Sequence, residues 1–228
     1  LAGRVALVTG ASRGIGAATA DRLAADGARV VRVARSLTAG QGDGFTDISC
    51  DLTEPGQVEE LATRVIGALG VPQIVVSNAG GFLLKPLEQT TPTEFDLQTA
   101  TNLRSAFLVA RAFLPAMRGA GGGHYVSVGS VADHVGFPEN AAYAASKYGV
   151  RGLHETLVAE FRGTGVRLTL VSPGPVDTTI WEPFHPERRE GFPPRAAMLR
   201  PADVADAVYF VVTRPPHVHI DWLRLGPA

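Results

Sequence analysis

The chain has 228 residues, with 21 Lys plus Arg against 22 Asp plus Glu and a formal net charge of -1. That length fits a single α/β core covered by helices on both faces, and the balanced charge supplies no basic field for nucleic acid or an anionic membrane. Cys50 is the single cysteine, which excludes an internal disulfide and a cysteine-built zinc site; it is read as a small buried hydrophobe in a reducing compartment. No apolar run approaches the roughly 18 residues that span a bilayer, and the chain enters Val5-Ala6-Leu7-Val8 without a signal-peptide pattern, so the expected location is the cytoplasm.

Short β-branched runs alternate with longer Ala-rich stretches of helical period, the pattern of parallel strands joined by crossover helices. In chain order the spacing predicts a strand over Val5–Thr9, a helix from Gly14 to Gly27 and a strand over Arg29–Val33. A helix capped by Thr53, with Pro55 in its first turn, runs to about Leu69. Then come a strand over Ile74–Ser77, a helix from about Phe95 to Met117, a strand over Tyr125–Val128 and a helix from Ala141 to about Phe161. Strands over Arg167–Val171 and Trp222–Leu225 complete the series. Most strands are apolar on both faces, which fits a sheet buried on each side. The expected fold is therefore a single-domain, doubly wound parallel sheet of the Rossmann type. One stretch, Val176 to Arg200, departs from the pattern: Pro183, Pro186, Pro193 and Pro194 stand among Trp181, Phe184, His185 and Phe192. It is read as a substrate loop or lid rather than a packed element.

The first strand runs into Thr9-Gly10-Ala11-Ser12-Arg13-Gly14-Ile15-Gly16, and the helix pattern begins at once. A strand, a glycine turn and a helix start make a pyrophosphate cradle, because the free N–H groups of a helix N-terminus point at the anion. Gly10 permits the sharp turn, Gly14 lets backbone approach the phosphates, and Gly16 lets the helix lie close to the strand. Ser12, Arg13 and Ile15 complete the cradle. The spacing is not the standard G-x-G-x-x-G fingerprint. The second strand ends Val33-Ala34-Arg35-Ser36, with no carboxylate for a ribose 2′-hydroxyl and with Arg35 suited to a 2′-phosphate; Arg13 can close on the same group. The expected cofactor is NADP(H) in preference to NAD(H).

Tyr143-Ala144-Ala145-Ser146-Lys147 opens a helical stretch, so the phenol and the ammonium share one face. A neighbouring cation favours the phenolate and is expected to draw the phenol from its ordinary value of about 10 toward neutrality. Ser130 lies just after an apolar strand, at the end where ligands bind in doubly wound sheets. Ser127, inside that strand, is read as a core serine.

The glycine turn, Asn78-Ala79-Gly80, Ser130 and Tyr143-x-x-x-Lys147, in this order and spacing, resemble the short-chain dehydrogenase/reductase family over nearly the whole chain. The resemblance implies Tyr143 as proton donor to a carbonyl, Ser130 orienting its oxygen, Lys147 on the nicotinamide ribose and Asn102 holding a water of the proton relay. It also implies Asp51 and Leu52 in the adenine pocket, and Asn78, Ala79 and Gly80 beside the cofactor. Pro173, Gly174, Val176 and Thr178 would form the loop over the nicotinamide carboxamide. The sequence departs from the common pattern at Ser77, where many members have asparagine, and at Asp133, where a small residue is usual; neither is expected to touch the chemistry directly. The family further implies a homodimer or homotetramer built on helices around positions 100–117 and 143–161, where Ala106, Ala110, Ala141 and Ala145 leave room for close packing.

The leading reading is a reversible carbonyl reductase or alcohol dehydrogenase acting on a small-molecule carbonyl or alcohol, with neither nucleic acid nor membrane as partner. Two others stay open. One is a 3-oxoacyl-acyl-carrier-protein reductase, against which the C-terminal Ile220–Gly226 weighs because it replaces a glycine-rich ending. The other is a non-catalytic dinucleotide-binding regulator, which has no need of a proton relay. A sugar-nucleotide epimerase or dehydratase would need a further domain. No metal is expected at His217 and His219, which follow Pro215-Pro216. His134 is read as a solvated loop histidine, with a substrate contact as the alternative, and for His185 a lid contact is left open as the lesser reading. The aromatic residues of the lid point to a partly apolar substrate.

Overall fold

The structure is a computed structural model that describes residues 1–42, 44–188 and 191–228. Its strands are β1 (Val5–Thr9), β2 (Arg29–Val33), β3 (Gly40–Gly42), β4 (Phe45–Ile48), β5 (Ile74–Ser77), β6 (Gly123–Val128), β7 (Val166–Pro173) and β8 (Trp222–Leu225). Its helices are α1 (Gly14–Ala25), α2 (Pro55–Leu69), α3 (Pro92–Thr99), α4 (Ser105–Gly119), α5 (Ala141–Glu160) and α6 (Pro201–Val212). The strands form one sheet in the order β3-β4-β2-β1-β5-β6-β7-β8, parallel throughout except for the short edge strand β3. Because β1 pairs with both β2 and β5, the chain winds outward first to one side and then to the other. The strand order reverses at the carboxyl ends of β1 and β5, the place where a doubly wound sheet opens a crevice.

Alternation along each strand sends neighbouring side chains to opposite faces. Val5, Leu7, Val31 and Val75 pack with Val58, Leu61 and Val65 of α2 and with Val109, Phe113 and Met117 of α4. Ala6, Val8, Val30 and Val76 pack on the other face with Ala20 and Leu23 of α1 and with Val204 and Val208 of α6. Each fully buried aliphatic or aromatic side chain contributes roughly 1.5–3 kcal/mol, so these two layers supply the main cohesion of the sheet and hold its crevice rigid.

Several local expectations are corrected. The N-cap of α2 is Glu54, not Thr53, because the Thr53 N–H and hydroxyl both donate to Asp51 Oδ1, at 3.0 and 2.8 Å. The single helix expected from Phe95 to Met117 starts earlier, at Pro92, after a Thr91–Glu94 capping box. It is interrupted by a π-helical turn over Ala100–Arg104. Ala106 and Ala110 are buried in the chain's own core, so of the four expected small contact residues only Ala141 and Ala145 are exposed. The strands β3 and β4 and the helix α6 are additions to the expected series. No helix among the described residues is long and apolar enough to cross a membrane.

The stretch expected to be irregular contains only short 3-10 turns, at Thr179–Phe184, Pro186–Arg188 and Arg195–Ala197; Arg189 and Glu190 lie outside the described residues. Its two ends are tied: Val176 bridges Leu199, the Asp177 N–H donates to the Leu199 carbonyl at 2.7 Å, and Arg195 pairs with Asp177 at 2.6 Å. The segment is thus a loop with a closed neck.

Candidate active site

The carboxyl ends of β1 and β5 open on a cleft of about 1200 Å³. Gly10 leaves β1 with φ of 64°, in the left-handed region, and a Cβ there would stand 2.9 Å from the Ala79 Cα. Behind it, a Cβ on Gly16 would overlap the Gly10 carbonyl. These two positions let α1 begin directly at the end of β1. Arg13, its N-cap, makes no side-chain capping bond, so the first N–H groups of α1 are left for an anion. Ser12, Arg13, Gly14 and Ile15 line the cleft here.

Sequence reasoning misses Thr9. Its hydroxyl accepts from the N–H groups of Asn78 (2.9 Å) and Ala79 (3.0 Å) and donates to the Val76 carbonyl, while Asn78 Nδ2 donates back to the Thr9 carbonyl at 3.0 Å. Thr9 therefore ties the glycine turn to Asn78-Ala79-Gly80. The only signal available was a hydroxyl closing an apolar strand.

At the far end, Ala34, Arg35, Cys50, Asp51 and Leu52 line the cleft, with Arg35 and Arg13 exposed at its rim. Thr53 hydrogen bonds, and after them the Arg35 charge, hold the Asp51 carboxyl below the usual carboxylate range. Cys50 is buried, and burial pushes its thiol up to about 11, as befits an inert core thiol.

At the near end, β6 delivers Ser130 and the first turns of α5 deliver Tyr143 and Lys147 to one wall. Lys147 Nζ donates to the Val128 carbonyl at 3.1 Å and lies 5.8 Å from the Tyr143 ring centroid. Burial pushes the Tyr143 phenol up to about 12, a hydrogen bond with Ser130 opposes it, and the Asp133 charge adds to it. Burial likewise pushes Lys147 down to about 8, against the pull of Asp133. The expected drift of the phenol toward neutrality is thus not found, because desolvation and the Asp133 charge outweigh the Ser130 hydrogen bond.

Asp133 does not line the cleft but stands directly behind Ser130. Fully buried, it accepts from the Ser130 N–H at 3.1 Å, from Ser172 Oγ at 2.5 Å and from His134 Nδ1 at 2.7 Å. His134 packs edge-on against Trp222, whose indole N–H donates to Ser172. So His134 sits behind the site, paired, and does not line the cleft. His185 is exposed, with φ of 46°, and does not line it either. His219 Nε2 lies 2.8 Å from the Leu168 carbonyl.

Of the site residues expected from sequence, all line the cleft except Gly16 and Asn102. Asn102 stands one layer behind, in the π-helical turn: its Oδ1 accepts from the Gly81 N–H at 2.8 Å, and its Nδ2 donates to Gln98 and Ser146. Ser146 in turn donates to the Tyr143 carbonyl at 2.7 Å, so Asn102 braces the helix that carries Tyr143. Pro173, Gly174, Val176 and Thr178 also line the cleft. Phe82, which sequence reasoning also misses, meets Tyr143 edge-on at 4.9 Å between ring centroids.

The profile of the short chain dehydrogenases matches residues 4–189. The chain belongs to the short-chain dehydrogenase family. Among its relatives in that family is the D-threitol dehydrogenase of Mycolicibacterium smegmatis, 34% identical over 226 residues that cover 93% of this chain and 87% of the relative. A metagenomic short-chain oxidoreductase in complex with NADP is 35% identical, with a TM-score of 0.83, over 100% of this chain and 99% of that one. The 3-ketoacyl-(acyl-carrier-protein) reductase of Brucella melitensis complexed with NADH is 27% identical, with a TM-score of 0.89, over 99% and 98%. As a short-chain dehydrogenase the protein is an oxidoreductase with a dinucleotide-binding fold. One of these short-chain dehydrogenase structures holds NADP and the other NADH, so membership alone does not choose between them.

Proposed function

We propose that this short-chain dehydrogenase is an NADP(H)-dependent reductase of small-molecule carbonyl compounds, reversible as an alcohol dehydrogenase, with Tyr143 as its general acid and base. The observation that carries the reading is the convergence of Ser130, Tyr143 and Lys147 on one wall of a cleft whose other end is a glycine-built anion cradle. The cradle fits a dinucleotide: the uncapped start of α1, with Gly10, Ser12, Gly14 and Ile15, holds the pyrophosphate. Asp51 and Leu52 flank the adenine, Arg13 and Arg35 take the 2′-phosphate, and no carboxylate stands at Ala34 to repel it. Asn78, Ala79 and Gly80 on one side, and Pro173, Gly174, Val176 and Thr178 on the other, flank the nicotinamide half. When bound, the nicotinamide supplies or accepts the hydride.

Tyr143, a neutral phenol near pH 7, gives its proton to the carbonyl oxygen, and Ser130 donates a hydrogen bond to the same oxygen. In the reverse direction the phenolate takes the proton from the alcohol. Lys147 holds the nicotinamide ribose, and its charge favours the phenolate as it forms. The Asn102 side chain is engaged by Gly81, Gln98 and Ser146, and on this reading the residue holds the relay water behind Tyr143. The loop from Val176 to Arg200 closes over the substrate as a lid, and the protein works as a homodimer or homotetramer in the cytoplasm. A pure dinucleotide sensor has no use for the Ser130–Tyr143–Lys147 wall. The test is loss of NADPH absorbance with purified protein against a panel of ketones, aldehydes, β-keto esters and quinones. Consumption dependent on the carbonyl is expected, and a folded, NADPH-binding protein that reduces none of them would refute the reading.

A further inference from the structure

The wall beside Tyr143 is built of aromatic rings from two separate parts of the chain. Phe82, from the turn after β5, lies 4.9 Å from the Tyr143 ring, 5.1 Å from Trp181 and 5.1 Å from Phe184, centroid to centroid. Trp181 continues the row to Phe192 at 6.0 Å. Phe137, 43% exposed, and Ile180, 36% exposed, line the same cleft from the loops on either side. Trp181 is 8% exposed, and its indole N–H is already spent on the Val176 carbonyl at 3.0 Å, so it offers the cleft a ring and no donor.

The hydroxyls of Ser130 and Tyr143 are committed to the reacting oxygen. Among the described residues, Glu139 and Thr179 line the cleft as well, and so does Asn140, 4% exposed, whose side-chain Oδ1 is buried without a hydrogen-bond partner and can receive one substrate hydroxyl.

On the reductase reading above, we propose that the substrates are apolar carbonyl compounds bearing an aryl or bulky alkyl group beside the carbonyl, and that polyhydroxy carbonyls and polyols are discriminated against. An apolar substituent placed among these rings leaves water and gains edge-to-face contacts. Each substrate hydroxyl buried there without a partner forfeits its hydrogen bonds to water and weakens transition-state binding by roughly tenfold. The carbonyl oxygen meets Ser130 and Tyr143, and hydroxyls beyond the one that Asn140 can receive meet rings, so the site reads the substituent mainly by shape and apolarity and the oxygen by hydrogen bonds.

The experiment sets an aryl alkyl ketone, propiophenone, in direct competition with the polyhydroxy ketone erythrulose for the wild-type enzyme with NADPH. The ratio of the two kcat/KM values is independent of the concentration of active enzyme, so it stays readable for a variant that folds in low yield. The expected wild-type ratio favours propiophenone by at least about tenfold, and Phe82→Ala and Trp181→Ala should each cut it by about tenfold, the loss of one ring contact. A wild-type ratio favouring erythrulose, no reduction of propiophenone, or ratios unchanged in both variants would overturn the substrate class while leaving the reductase reading in place wherever erythrulose or another carbonyl is reduced. Failure with every carbonyl in the wider panel would overturn the reductase reading itself.

Discussion

Tyr143 starts as a phenol pushed up to about 12, so carbonyl reduction, which on the proposed mechanism needs the hydroxyl, should run undiminished through neutral pH and fall only in alkali. Alcohol oxidation, which would need the phenolate, should rise over the same alkaline range. The buried Asp133 charge adds to the upward push on the phenol. Asp133→Asn removes that charge while keeping an oxygen for the Ser130 N–H, so the phenol should ionise at lower pH. The alkaline limbs of both pH–rate profiles should move down, with NADPH affinity unchanged; limbs that stay put or move up would show that Asp133 does not act on Tyr143. At the other end of the cleft, Ala34→Asp combined with Arg35→Ser should reverse a preference for NADPH over NADH, because a carboxylate suits the 2′-hydroxyl and repels the 2′-phosphate. Fluorescence titration reads this, and equal wild-type affinities would contradict the premise. Tyr143, Lys147 and Arg35, to which chemistry is proposed here, were singled out by type and local spacing, and the structure brings all three to the cleft. Asp133 and Thr9 were not legible in this way, because their partners stand far along the chain: Ser172 is 39 positions from Asp133, and Asn78 is 69 from Thr9.

The elements that build the cleft are held by close backbone contacts, and α1 is the sharpest case. In Gly16→Ala the new methyl would overlap the Gly10 carbonyl, and the helix must retreat from the strand. Such overpacking costs roughly 1–3 kcal/mol and opens the cradle, so the variant should melt at lower temperature and bind dinucleotide at least about tenfold more weakly. Normal binding by this variant would mean that α1 does not set the cradle. Long apolar strands and Ala-rich helices such as β1, β5 and α5 show a clear period and were legible. The strand β4 was not, because Phe45-Thr46-Asp47-Ile48 carries a charge at its centre; Asp47 is held across the sheet by Arg32 at 2.7 Å. Nor was α6, whose final residues Tyr209 to Val212 are bulky and β-branched. Its start held the available signal, Pro201 in the first turn and Asp203 bonded back to the Arg200 N–H at 2.7 Å. The π-helical turn at Asn102 answers to tertiary bonds with Gly81 and Ser146, and no local pattern announces it.

For the whole molecule, the doubly wound sheet follows from the alternation of strands and helices, and the reversal of order at β1 places the cleft. What remains on the outside bears on assembly: Phe95 and Leu97 of α3, Phe107 of α4 and Tyr148 of α5 are all at least 45% exposed, apolar side chains that a partner copy could cover. Light scattering should give a dimer or tetramer, and a stable monomer at working concentration would contradict a shared interface on α3, α4 and α5. The central claim is that the molecule as a whole serves one proton transfer at Tyr143, and Tyr143→Phe tests it most directly because it removes a single hydroxyl. On a variant shown to be folded and to bind NADPH as the wild type does, turnover at saturating substrate should fall by at least the ~10²-fold of a lost general acid; turnover close to wild type would contradict the account.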